Sequence, residues 1–165
     1  MSDGVNRGKQ FEAQIKKAFL EVPETSVCRL QDTMNGFRGS ANICDFIVYH
    51  YPVQLFIECK SCHGNRLPLS NISNTQWRGL LEQNKIKGVY AGYMIWWIDK
   101  DVTMFISADA MQMYEDDGNS SVLYRDFPYS NYIIPGKKRK ILYDYDMTGF
   151  LEVVCDACEG RRVWY

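Results

Sequence analysis

Between Asn6 and Val22 the apolar residues Phe11, Ile15, Ala18, Phe19 and Val22 recur at intervals of three and four, the spacing that gathers side chains on one face of an α-helix. This predicts an amphipathic first helix, and Pro23 helps to end it. Val27–Thr33 reads as a short strand, and Asn35-Gly36-Phe37-Arg38-Gly39-Ser40 as a loop by its glycines. Two apolar runs, Ile43–Tyr49 and Val53–Lys60, flank His50-Tyr51-Pro52 and predict a hairpin. Ser70–Ser73 offers helix N-caps ahead of a second helix over Thr75–Gln83. Gly88–Ile98 and Val102–Ser107 read as strands joined by the turn Asp99-Lys100-Asp101. Ser107 caps a short helix running to about Tyr114, Asp116–Ser121 is an exposed loop, and Lys140–Tyr145 is a strand. This order of elements predicts a mixed α/β domain built on one central sheet flanked by helices.

The length, 165 residues, is that of one domain spanning 1–165, with 146–165 a C-terminal extension whose structure the pattern leaves undefined. A net charge of −1 supplies no general attraction to phosphate, so any nucleic-acid site must be a local patch of cations. Met1–Asn6 lacks the apolar core of a signal peptide, and the eleven-residue run Gly88–Ile98 is well short of the roughly 20 residues that span a bilayer. The sequence therefore reads as that of an intracellular, cytoplasmic protein without a membrane segment. In such a compartment the six cysteines are expected as thiols or metal ligands.

Candidate chemistry lies at the end of the predicted hairpin. Alternation along a strand puts Glu58 and Lys60 on one face and Ile57 and Cys59 on the other. A carboxylate and an ammonium ending an apolar strand cost desolvation unless something pairs with them. Asp45, in the preceding strand, meets them only if the strands pair with a bend or a slip. Two carboxylates with a lysine beside them suit Mg²⁺, which takes oxygen ligands and leaves positions for water and substrate phosphate. An ordinary strand-end ion pair has the same local pattern, so the context decides between the two.

Asp45-x12-Glu58-Cys59-Lys60 matches the PD-(D/E)xK nuclease motif. Asn6-Arg7-Gly8-Lys9-Gln10-Phe11-Glu12 resembles the Asn-Arg-Gly-x-x-Leu-Glu opening of RecU-type Holliday junction resolvases. Leu67-Pro68-Leu69-Ser70-Asn71 with Gln76 resembles the segment that follows the catalytic lysine there. Met104–Ala110 and Tyr129–Tyr143 resemble its later strand and helix and its C-terminal piece, so the patches run from about residue 6 to 145. The resemblance implies a PD-(D/E)xK, restriction-endonuclease-like fold, a homodimer, and Mg²⁺-dependent cutting of four-way DNA junctions, with Mn²⁺ able to substitute. It makes Asp45 and Glu58 the metal ligands, Lys60 the catalytic lysine, Glu12 the acid of the first helix and Gln76 a supporting polar residue. Two departures bear on junction specificity rather than on the chemistry. Asn42-Ile43-Cys44 replaces a hydroxyl residue before the aspartate, and only Gln31–Asn42 stands where the family carries a long stalk.

Cations for phosphate contact are Lys137, Lys138, Arg139 and Lys140, four in a row, with Arg7, Lys9 and Arg38 in support. Cys59-x2-Cys62 and Cys155-x2-Cys158 are half-patterns of a zinc site, but they lie too far apart for the usual spacing, which argues against zinc. Tyr90, Tyr93, Trp96 and Trp97 fall in the most apolar segment and read as sheet core. Two other functions remain open at this stage. One is the same site acting on linear duplex or DNA ends; the other is a non-catalytic nuclease-fold DNA-binding module, against which the presence of all three motif residues counts.

Overall fold

Asn6 opens the first helix, α1 (Arg7–Leu20), by accepting the Lys9 amide on its side-chain oxygen. That is an N-cap, satisfying one of the donors that a helix start leaves unpaired. Phe11, Ile15, Ala18 and Phe19 form its buried stripe, on the spacing the sequence predicts. The computed structural model describes residues 6–31, 41–125, 127–140 and 142–160. The proposed Asn35–Ser40 loop, including Arg38, lies outside them.

The chain continues through β1 (Thr25–Arg29), β2 (Phe46–His50) and β3 (Val53–Cys62). It then runs through β4 (Arg66–Pro68), α2 (Asn74–Asn84), β5 (Val89–Trp97), β6 (Val102–Ser107) and α3 (Ala108–Asp116). The short strands β7 (Ser121–Leu123), β8 (Asn131–Ile133), β9 (Gly136–Arg139) and β10 (Leu142–Tyr145) follow, and α4 (Thr148–Cys158) comes last. A six-stranded sheet in the order β1-β2-β3-β5-β6-β8 forms the centre. β3 and β5 run parallel and every other neighbouring pair antiparallel, so the sheet is mixed. A parallel pair needs a crossover, and β4 and α2 lie on it.

Alternating residues of the sheet feed two apolar layers. Leu55, Ile57, Met94 and Trp96 pack with Phe11, Ile15 and Phe19 of α1 and Phe150, Leu151 and Val154 of α4. Phe56, Tyr93, Ile95 and Trp97 pack with Leu80 of α2 and Met111 and Tyr114 of α3. The protein is thus a mixed α/β fold with a central sheet flanked by helices, and the Tyr90–Trp97 rings are largely sheet core as expected.

The differences from expectation are local. The first strand is Thr25–Arg29 instead of Val27–Thr33, and the second begins at Phe46 instead of Ile43. Lys140, placed by the sequence at the head of a strand, is the left-handed turn residue between β9 and β10, with φ 57°. Segment 146–160 is largely the helix α4, docked on the core.

Candidate active site

The hairpin of β2 and β3 turns tightly at Tyr51-Pro52, with His50 facing Val53 and Phe46 facing Ile57. At Asp45 the ladder steps out of register. The Asp45 amide donates to the Ile57 carbonyl at 3.0 Å, so Asp45 and Phe46 together oppose Ile57. Two residues against one is the pattern of a bulge, which bends a strand and re-aims a side chain. Here it carries the Asp45 carboxylate over β3, where its Oδ2 accepts the Cys59 amide at 2.7 Å. The bend on which the meeting of Asp45 with Glu58 depends is therefore present.

Glu58 is 3% exposed. Its Oε1 accepts two bonds, from Lys60 Nζ at 2.8 Å and from Gln76 Nε2 at 2.6 Å. Gln76 in turn accepts Lys60 Nζ at 3.2 Å and the Ser73 amide at 3.1 Å on its Oε1. Gln76 can be in this position because it is the third residue of α2, in a capping box with Ser73. One side chain thus closes the helix start and ties together the Glu58–Lys60 pair.

The electrostatics are those of two crowded, desolvated acids. Burial, aided by the charge of Asp45, raises the Glu58 carboxyl to about 7. Burial also raises Asp45, and the Cys59 amide bond partly offsets it. The two carboxyls are close enough to share a proton, yet with both ionised the buried Glu58 Oε2 has no donor. An acceptor-only oxygen without a partner in a dry site is costly unless a proton or a cation reaches it. That orphan oxygen fits a hard cation. Among the described residues no three His, Cys, Asp or Glu side chains form a metal cluster. The fit therefore rests on Asp45 and Glu58, and Mg²⁺ is commonly held by one or two carboxylates.

Glu12 approaches from α1 and adds to the negative charge felt by Asp45. It is itself held by Arg29 of β1, whose Nη2 donates to its Oε2 at 2.6 Å. The sequence gives no sign of Arg29, because its partner lies 17 positions away on another element. Cys59 packs into the α1 layer while Cys62 joins the α2 layer, so this pair straddles the sheet.

The cation cluster is only partly available for a ligand. Lys138 is paired with Asp101 and Arg139 with Asp144, whereas Lys137 and Lys140 have no ion-pair partner among the described residues. Lys138, Lys140 and Arg7 line one cavity of about 340 Å³ with Trp96, Asp99 and Asp101. Lys9 is exposed on α1 and does not line that cavity.

No family model and no curated protein matches the chain. Among solved structures it is similar to the Holliday junction resolvase Hjc of the archaeal hyperthermophile Archaeoglobus fulgidus, with a TM-score of 0.44 and 17% identity. That likeness covers 63% of this chain and 77% of the resolvase.

Proposed function

We propose that this protein is a metal-dependent endonuclease that hydrolyses phosphodiester bonds of branched DNA, the junction substrate being what its sequence resemblance implies. The observation that carries the reading is the meeting of Asp45, Lys60 and Gln76 at the Glu58 carboxylate, whose Oε1 takes the Lys60 and Gln76 bonds and whose buried Oε2 has no donor. Asp45 and Glu58 would hold Mg²⁺, or Mn²⁺ in its place. Such an ion would favour the ionised form of both carboxyls and would supply Lewis-acid activation of a water and of the phosphate.

The chain's own groups do the positioning. An ammonium has three N–H donors, and Lys60 uses two of them on Glu58 and Gln76. The third is left for the attacking water or a phosphate oxygen, and Gln76 fixes its direction. Glu12, held by Arg29, shapes the field at Asp45. Lys137, Lys140 and Arg7, with Lys138, Arg139 and Lys9 nearby, supply phosphate contacts of the kind that set position rather than sequence.

The test is incubation with a synthetic four-way junction and a matched linear duplex, in Mg²⁺, in Mn²⁺ and in EDTA. Cleavage of the junction in either metal and none in EDTA is expected; intact DNA in every arm would end the nuclease reading. Preferential cutting of the linear duplex would select the second reading, an enzyme of duplex or ends. The observation favouring that alternative is the short Gln31–Asn42 segment. The proposed homodimer should sediment at about twice 19.2 kDa.

A further inference from the structure

Beyond Lys60 the chain builds a second cationic pocket that no part of the motif includes. β3 ends at Cys62, two residues past Lys60 and on the same face of the sheet by alternation. The turn that follows is anchored by Asp99. Its Oδ2 accepts the Gly64 amide at 2.6 Å, and its Oδ1 meets His63 Nδ1 at 2.8 Å. The chain then returns as β4, paired antiparallel with β7, with Arg66 facing Leu123. The Tyr124 amide closes this corner on the Asn65 carbonyl at 3.0 Å.

The result is a cavity of about 420 Å³ lined by Asn65, Lys100, Leu123, Tyr124 and Arg125. Its walls are fixed by backbone pairing and by the Tyr124 ring, which packs on Trp97 at 5.6 Å between centroids. Trp97 faces Cys62 across the parallel ladder, so the cavity opens beyond the strand ends that carry Lys60. Among the described residues no carboxylate lines it. Arg125 lies over the Tyr124 ring at 5.9 Å, and neither Arg125 nor Lys100 has an ion-pair partner among the described residues. Two exposed cations without an ion-pair partner among the described residues, beside a polar amide, an aliphatic side chain and an aromatic ring, match one unit of a nucleic-acid strand. The cations suit the phosphodiester, and the Leu123–Tyr124 wall suits the sugar or base.

We infer that this pocket is a DNA-strand subsite, with Lys100 and Arg125 holding a phosphate next to the one that is cut or a few positions from it. The inference rests on the nuclease reading. Asn65 is five residues from Lys60 and so at most about 17 Å along the chain. At about 3.4 Å of axial rise per nucleotide, that is within about five nucleotides.

Lys100 and Arg125 are both exposed, so Lys100→Ala/Arg125→Ala removes charge without opening the core. The experiment measures binding of a fluorescein-labelled four-way junction and a matched duplex in EDTA, across a salt series, by anisotropy. Each phosphate contact contributes about 0.9 to the slope of log affinity against log salt, so the double variant should lower that slope by about 2. Lys85→Ala/Lys87→Ala, at the far end of the sheet beside Gly88, should leave it unchanged. A slope in Lys100→Ala/Arg125→Ala equal to wild type overturns the subsite and leaves the nuclease reading standing. An equal fall in Lys85→Ala/Lys87→Ala overturns it as well, since the effect would then be one of total charge. Wild-type protein that binds neither DNA overturns both readings.

Discussion

Glu58 is saturated on one oxygen and bare on the other, and that asymmetry sets what each substitution in the site should do. Glu58→Gln keeps the size of the side chain and removes the charge a cation needs, as does Asp45→Asn. Both variants should lose metal-dependent cleavage, and both should bind DNA at least as tightly as wild type, because one repulsion from phosphate is gone. Cleavage near the wild-type rate by either would remove the metal site. Lys60→Ala should behave differently. An ammonium has no lone pair for a metal, so Mg²⁺ binding by calorimetry should remain close to wild type. Cleavage should fall by about 10²- to 10⁴-fold, the usual contribution of a positioned proton-transfer group. A fall of only a few-fold would reduce Glu58-Cys59-Lys60 to an ordinary ion pair.

Among the elements, the ones legible in the sequence are those whose burial is periodic. α1 shows its stripe, β2 and β3 show their runs around Tyr51-Pro52, and β5 is apolar because both faces are covered. The three-residue strands β4 and β7 carry no period of their own and exist by pairing Arg66–Pro68 with Ser121–Leu123, far apart in sequence. The bulge at Asp45 is hidden for the same reason, since it is a property of two strands and not of either alone. α4 has Met147 at its cap position, and the side chain that accepts its first amide, from Thr148, is Asp146 one residue earlier, so the usual cap pattern is displaced even though Phe150, Leu151 and Val154 are core. At α2 the sequence reads correctly that a serine caps the helix, while the second use of the cap is visible only in three dimensions. Ser73→Ala and Gln76→Ala each remove a bond of the capping box and should each cost about 1 kcal/mol in chemical denaturation. Only Gln76→Ala also releases Lys60 and Glu58, so it alone should slow cleavage strongly. Equal activity in the two variants would leave Gln76 as a helix cap and nothing more.

At the scale of the whole molecule, a net charge of −1 leaves any DNA binding to local groups of cations. Lys100 and Arg125 line one cavity, and Arg7, Lys138 and Lys140 line another together with Asp99 and Asp101, while Asp45 and Glu58 are held in the site. No helix among the described residues is long and apolar enough to cross a membrane. Holding two acids together has a consequence for the stability of the entire fold. The Glu58 carboxyl titrates near 4.5 when unfolded and about 7 when folded, so between those values the native state binds a proton that the unfolded chain has released. Its contribution is fully present below pH 4.5 and is lost as the pH rises through 7; Asp45, also raised, acts in the same direction. Asp99 and Asp101 are shifted the other way, but they are exposed and their window lies below about 3.8. Metal-free protein should therefore be less stable at pH 8 than at pH 5.5, by about 2 kcal/mol from Glu58, and should melt at a lower temperature. Glu58→Gln, neutral at every pH, should flatten that difference. Mg²⁺ held there as proposed would compete with that proton, so it should stabilise wild type more at pH 8 than at pH 5.5 and leave Glu58→Gln unaffected at both. Scanning calorimetry at the two pH values, with and without Mg²⁺, reads all of these at once. A metal-free wild type whose melting temperature matches that of Glu58→Gln at both pH values would mean that Glu58 titrates as an ordinary carboxylate, and the dry, cation-seeking site would lose its physical basis.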